Sequence, residues 1–149
     1  MVHSLLEGAT AYAGFDVQKE SIANYFLCDG AADDVQMNLA TTYVAALGGG
    51  SVELERGAFN NIATVNVPLD VTFRGQGNDT IINYNAGGNC VTITGNNAKI
   101  KDLKIVIVAG AGGAGTRPNG VYGTGRTNVE ITNLWICLLY TSPSPRDRS

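Results

Sequence analysis

Two hydrophobic periods divide the chain. From Asp33 to Gly50, in DDVQMNLATTYVAALGGG, apolar residues recur at i, i+4, i+8 and i+12 as Val35, Leu39, Tyr43 and Leu47, the spacing of one helical stripe. Asp33 stands at the N-cap position, Gln36 follows in the capping-box place, and Asp34 favours the positive end of a helix. Gly48, Gly49 and Gly50 stop the element. The pattern predicts a helix over about 33–47, with a short strand at FLC before it and another at SVEL after it. Beyond Gly50 the period drops to two, in short β-rich runs broken by Gly and Asn.

Those runs repeat. When DVTFRG (Asp70–Gly75), NAKIKDLKI (Asn97–Ile105) and NVEITNLWI (Asn128–Ile136) are aligned, Val71, Ala98 and Val129 coincide, as do Phe73, Ile100 and Ile131. The offsets are 98 − 71 = 27 and 129 − 98 = 31. Between the last two copies Asp102 meets Asn133, Leu103 meets Leu134 and Ile105 meets Ile136. The segments before the copies match as well, through Val65 and Val67, Val91 and Ile93, and Val121 and Gly123. A βαβ sheet needs a crossover of a dozen or more residues, usually helical, and no helix is read between these copies. Strands repeated in this way can coil as a solenoid, each turn about 4.8 Å from the next and alternate side chains pointing into a shared core. Asp70, Asn97 and Asn128 share one turn position, where stacked side chains bond along the coil and tolerate left-handed backbone.

The stretch YFLCDGAADDVQMNLATTYVAALGGGSVELERGAFNNIATVNVPLDVTFRGQGNDTII, Tyr25–Ile82, together with the segments IKDLKI and ITNLWI, resembles the right-handed parallel β-helix proteins of the pectate-lyase-like superfamily, phage tailspikes among them. The resemblance covers Asn24–Ile136. It implies an all-β fold, a right-handed single-stranded parallel β-helix with an N-terminal capping α-helix, truncated after about three rungs. It also implies a polysaccharide ligand, calcium as the one cofactor to consider, and a homotrimer if the chain is tailspike-like. Two functions follow as alternatives. One is an extracellular or virion-borne protein that binds or cleaves polysaccharide, its catalytic groove on further rungs; the other is a non-catalytic surface or fibre protein.

Composition narrows the partners. A net charge of −3 and a pI near 5.0 leave no basic stripe to neutralise phosphates, which argues against nucleic acid and anionic membrane as partners. The first thirty residues hold no apolar run with the length of a signal h-region, and nowhere is there one long enough to span a membrane. Cys28, Cys90 and Cys137 form neither a C-x-x-C motif nor a zinc spacing, and Cys28 and Cys90 read as small core residues. His3 is the only histidine and offers no imidazole base.

One motif invites a cofactor reading. KIVIVAGAGGAG runs from a hydrophobic strand into G-x-G-x-x-G at Gly110, Gly112 and Gly115. A dinucleotide fingerprint needs a helix directly after the glycines and an acidic residue some 20 positions on. TRPNGVYGTG follows instead, with Pro118 in it, and Glu130 falls inside the repeat. The motif is read as a loop inserted between rungs, and no cofactor is assigned.

Cleaving a glycosidic bond calls for paired carboxylates. Asp33 and Asp34 are explained by helix capping, Asp29 with Gly30 by a turn, and Asp79 with Asn78 by the turn before TII. Lys101, Asp102 and Lys104 read as a solvent-facing strand, on which Arg74 stacks over Lys101 (101 − 74 = 27). Arg74, Lys101, Tyr122 and Trp135 are the substrate-contact candidates; no residue is assigned to catalysis or to metal. The organisation read from the chain is a lead segment over 1–23, the β-helix domain over 24–136, and a tail over 137–149. Cys137–Asp147, CLLYTSPSPRD, matches the translation of a DNA string resembling a tagmentation sequencing adapter, so the tail is expected to be non-native.

Overall fold

A computed structural model describes residues 9–108 and 119–139. The glycine motif at Gly110, Gly112 and Gly115 lies outside these residues. In chain order the elements are β1 (Ala9–Gly14), β2 (Tyr25–Leu27), α1 (Asp34–Ala46), β3 (Gly50–Leu54), β4 (Gly57–Asn61), β5 (Val65–Val67) and β6 (Val71–Arg74). They continue as β7 (Thr80–Tyr84), β8 (Asn89–Ile93), β9 (Lys99–Val108), β10 (Asn119–Tyr122) and β11 (Glu130–Leu139). Short 3-10 turns at Val17–Lys19 and Gly77–Asp79 lie between strands.

Every strand pairing is parallel, and the repeat sets its registers. Phe73 lies beside Ile100 and Ile100 beside Ile131, while Leu103 and Ile105 face Leu134 and Ile136. Alternation sends Val71, Phe73, Ala98, Ile100, Leu103 and Ile105 inward, all fully buried. Val65, Val67 and Val91 do the same from the smaller sheet. The shared turn position is left-handed in all three copies, with φ of 63° at Asp70, 61° at Asn97 and 58° at Asn128. The amide of Asn97 donates to Asp70 Oδ1 at 3.0 Å, and that of Asn128 to Asn97 Oδ1 at 3.0 Å. A second column repeats the device, with Asn133 donating to Asp102 Oδ1 at 3.1 Å and both residues at positive φ.

The architecture nevertheless departs from the coil that the repeat suggests. The strands form an eight-stranded sheet in the order β2-β1-β3-β6-β9-β7-β4, with β11 also on β9, and a separate three-stranded sheet β10-β8-β5. The sheets do not close into a solenoid. With α1 packed against β1, β2, β3, β5 and β6, the arrangement is α/β-like and not an all-β right-handed single-stranded parallel β-helix. The physical reason is that a repeat dictates which residues lie side by side but not how one sheet joins the next. Position 102 illustrates this: Lys99–Lys101 pair with β6, the chain bends at Asp102, and Lys104–Ile107 pair with β7. The lead segment also joins the sheet, since β1 inserts between β2 and β3. A Cβ on Gly50 would run into the backbone of Ala9, so this close approach requires glycine. At the other end β11 passes Ile136 and pairs Cys137, Leu138 and Leu139 with Val106, Ile107 and Val108.

The helix forms where the sequence places it, but it is turned. Met37, Ala40, Thr41 and Val44 are its buried face, while Val35, Leu39 and Leu47 of the expected stripe are 50%, 53% and 43% exposed. Polar groups fix this rotation. Asp33 is fully buried and makes no side-chain cap; its Oδ1 accepts from the N–H of Asp29 (3.2 Å) and Gly30 (3.0 Å), and its Oδ2 from Asn60 N–H (2.9 Å). Asp34 accepts from Ile62 N–H at 2.9 Å, and Asn38 bridges Thr64 O and Asn66 N–H, both at 2.9 Å. The helix is thus stapled to the backbone of residues 60–66, from the end of β4 into β5. Asp33→Ala leaves three N–H groups without their acceptor and is expected to cost about 3 kcal/mol or more in urea unfolding, with Asp34→Ala costing roughly half as much. The staple account fails if Asp33→Ala proves the milder of the two.

Candidate functional site

Alternation along SVELER buries Val52 and Leu54 and turns Ser51, Glu53 and Glu55 to the other face of β3. Parallel register carries that face across neighbouring strands. One row runs Tyr12, Glu53, Arg74, Lys101, Thr132 over β1, β3, β6, β9 and β11, and the next runs Thr10, Ser51, Thr72, Lys99, Glu130. Five strands at the usual spacing make a polar strip about 19 Å across.

At its β1 end the strip deepens into a groove of about 620 Å³ lined by Thr10, Tyr12, Glu53, Glu55, Arg56 and Gln76. A second hollow of about 310 Å³, lined by Tyr12, Lys19, Ile22, Asn24, Tyr25 and Glu55, adjoins it. Tyr12 and Glu55 belong to both, and the Tyr12 ring is 39% exposed. Glu55 is held from several sides. Tyr25 Oη donates to its Oε1 at 2.8 Å, Lys19 Nζ to its Oε2 at 2.9 Å, and its own backbone N–H and C=O bond to Ala13 O and Thr80 Oγ1. The bond and charge of Glu55 raise the pKa of Lys19, which stays an ammonium, and that ammonium lies 5.5 Å from the centre of the Tyr25 ring.

Glu53 faces Arg74, whose Nε lies 3.5 Å from Glu53 Oε1 in an ionic contact without hydrogen-bond geometry. Arg74 Nη2 lies 3.8 Å from Asp102 on the other side. Arg56 pairs only loosely with Asp79, at 3.7 Å between largely exposed side chains, so that contact contributes little.

Of the four residues expected to touch substrate, Arg74 and Lys101 meet in register on this strip. Trp135 sits beyond the bend, beside Lys104, and Tyr122 lies on β10 beside Thr92 in the smaller sheet; both are exposed and neither joins the groove. The carboxylates set aside as structural stay so. Asp33 and Asp34 staple the helix, Asp29 accepts from Ala31 N–H in a turn, and Asp79 closes the 3-10 turn before β7. The groove's own residues, Tyr12, Glu53, Glu55, Arg56 and Gln76, went unmarked in the sequence. E-x-E at the end of a strand was the available signal, since period two puts both carboxylates on one face. Among the described residues no group of three or more His, Cys, Asp or Glu side chains is placed to hold a metal, and no helix is long and apolar enough to cross a membrane.

No protein-family model, no curated protein and no solved structure matches this chain.

Beside the groove, burial sets an alkaline limit on the fold. It pushes the Tyr25 phenol, and the buried Cys28 and Cys90 thiols, up to about 12. Unfolded, the thiols ionise near pH 9.0 and the phenol near 10.0. Between those values and about pH 12 the unfolded state binds fewer protons, so stability falls as pH rises, by up to about 1.4 kcal/mol per pH unit for each thiol. The melting temperature is expected to hold from neutrality to about pH 9 and then decline, more shallowly in a Cys28→Ala/Cys90→Ala double variant. A melting temperature unchanged to pH 11 contradicts this.

Proposed function

We propose that this chain binds polysaccharide along the outer strip of the eight-stranded sheet, in the groove that Tyr12 and Glu55 wall. The observation that carries the reading is an exposed aromatic residue set in register beside hydrogen-bonding side chains, at the β1 end of a polar strip. A pyranose ring offers an apolar C–H face, which an aromatic ring covers, and a rim of hydroxyls, which carboxylates, amides and guanidinium groups bond. The resemblance of Tyr25–Ile82 to the pectate-lyase-like superfamily supports the same ligand class and an extracellular or virion setting.

Binding is favoured over cleavage. Glu53 and Glu55 share a face, but each is committed to a cation, Arg74 and Lys19 respectively. Glycoside hydrolysis needs two carboxyl groups free to face the scissile bond, and these two are engaged with neighbouring cations. Isothermal titration of the full chain against a panel of soluble polysaccharides is expected to give saturable binding, weakened about tenfold or more by Tyr12→Ala with the melting temperature preserved. Absence of binding across the panel, or full affinity in Tyr12→Ala, defeats the proposal.

A structural, non-catalytic reading has its own support at β11. Ile131, Ile136 and Leu138 are 47%, 51% and 53% exposed, although their register partners Ile100, Ile105 and Ile107 are buried. An uncovered apolar edge of this kind templates pairing with another chain. On this reading Ile136→Lys shifts light-scattering mass at high concentration towards monomer; a mass equal to that of the unaltered chain counts against it.

A further inference from the structure

We infer that the smaller hollow beside the groove is a specificity subsite for an N-acetylated sugar ring. The inference deepens the polysaccharide reading and rests on it. The hollow is preformed: its loop is tied back by Asp16 N–H to Tyr25 Oη (2.9 Å), Asn24 Nδ2 to Thr10 O (2.9 Å), and Lys19 to Glu55 (2.9 Å). Its volume, about 310 Å³, suits one ring rather than a run of them.

The lining supplies what an acetamido group needs. Ile22, 48% exposed, offers an apolar surface for the methyl. Lys19 gives one N–H to Glu55 among its described contacts, leaving ammonium donors for the acyl oxygen. The Asn24 amide spends its nitrogen on Thr10 O, which leaves the carbonyl oxygen as acceptor for the acetamido N–H. Tyr12, shared with the main groove, covers the ring face. Charge narrows the choice further. Glu55 disfavours a sugar carboxylate and Lys19 disfavours a protonated amino sugar, so both tolerate only a neutral substituent, and Ile22 favours acetamido over hydroxyl.

The test is calorimetric titration of the full chain with two neutral hexasaccharides, hexa-N-acetylchitohexaose and cellohexaose, and with the wider polysaccharide panel. The N-acetylated ligand is expected to bind about tenfold tighter, and Ile22→Ala and Lys19→Gln to shrink that ratio. Ile22 is exposed, so its variant tests the pocket without endangering the fold. Equal affinity for the two hexasaccharides overturns the subsite while the polysaccharide reading stands. A preference that survives both substitutions also overturns it, by putting recognition elsewhere. Binding of neither hexasaccharide nor any panel member removes the reading and the subsite together.

Discussion

The fold depends on left-handed backbone at a few Asp and Asn residues. At Asp70, Asn97 and Asn128 the chain turns at φ near +60°, a conformation most side chains resist by about 1–2 kcal/mol. Asn and Asp tolerate it, and here they recover part of the cost through side-chain bonds from copy to copy. The column has a direction. Asp70 carries no donor and accepts, Asn97 donates to it and accepts in turn, and Asn128 donates to Asn97. Asp102 and Asn133 follow the same order, Asp first and Asn after. Because side chains alternate with period two, a slip of one residue at any of these turns would send the row of Val71, Phe73, Ala98 and Ile100 from core to solvent. The columns therefore hold the register on which the core is built.

A second constraint acts at the other end of the chain, where buried carboxylates orient the helix. Two faces of DVQMNLATTYVAA offer apolar residues, and periodicity alone favours Val35, Leu39, Tyr43 and Leu47. The face actually buried, Met37, Ala40, Thr41 and Val44, contains smaller groups. Ala40 permits close approach, and Asp33, Asp34 and Asn38 must reach backbone amides of residues 60–66. Leaving the buried carboxylates of Asp33 and Asp34 without these partners would cost more than exposing Val35 and Leu39 by half. The stripe misleads because hydrophobic periodicity does not count hydrogen bonds to a segment 26 to 28 residues away.

Legibility divides along the same line. Strand registers, the Asp70–Asn97–Asn128 column and the Arg74–Lys101 stack could be read in the sequence, because each follows from comparing one copy of the repeat with another. Sheet closure could not, because it depends on how β1 and α1 cover the strands, and neither belongs to the repeat. The groove was hidden for the same reason. Glu53 in β3 and Glu55 just past its end stand at a readable spacing, but Tyr12 reaches them only through β1, whose insertion between β2 and β3 leaves no trace in the local pattern.

That insertion also explains why the candidate site lies at the β1–β3 junction rather than on the repeats. Stacked copies of one unit bring like groups into register, as Arg74 meets Lys101, and like charges directly opposite are unfavourable unless neighbours compensate them. Glu53 and Asp102 do so, and their charge is spent within the sheet. A strand from outside the repeat brings unlike groups together. Beside Glu53 it places the phenol of Tyr12, and the loop that follows delivers Lys19 to Glu55 across 36 residues of chain. A flat parallel sheet offers a ligand little but repetition, so a recess with an aromatic wall, an acid and an ammonium arises where the repetition is broken.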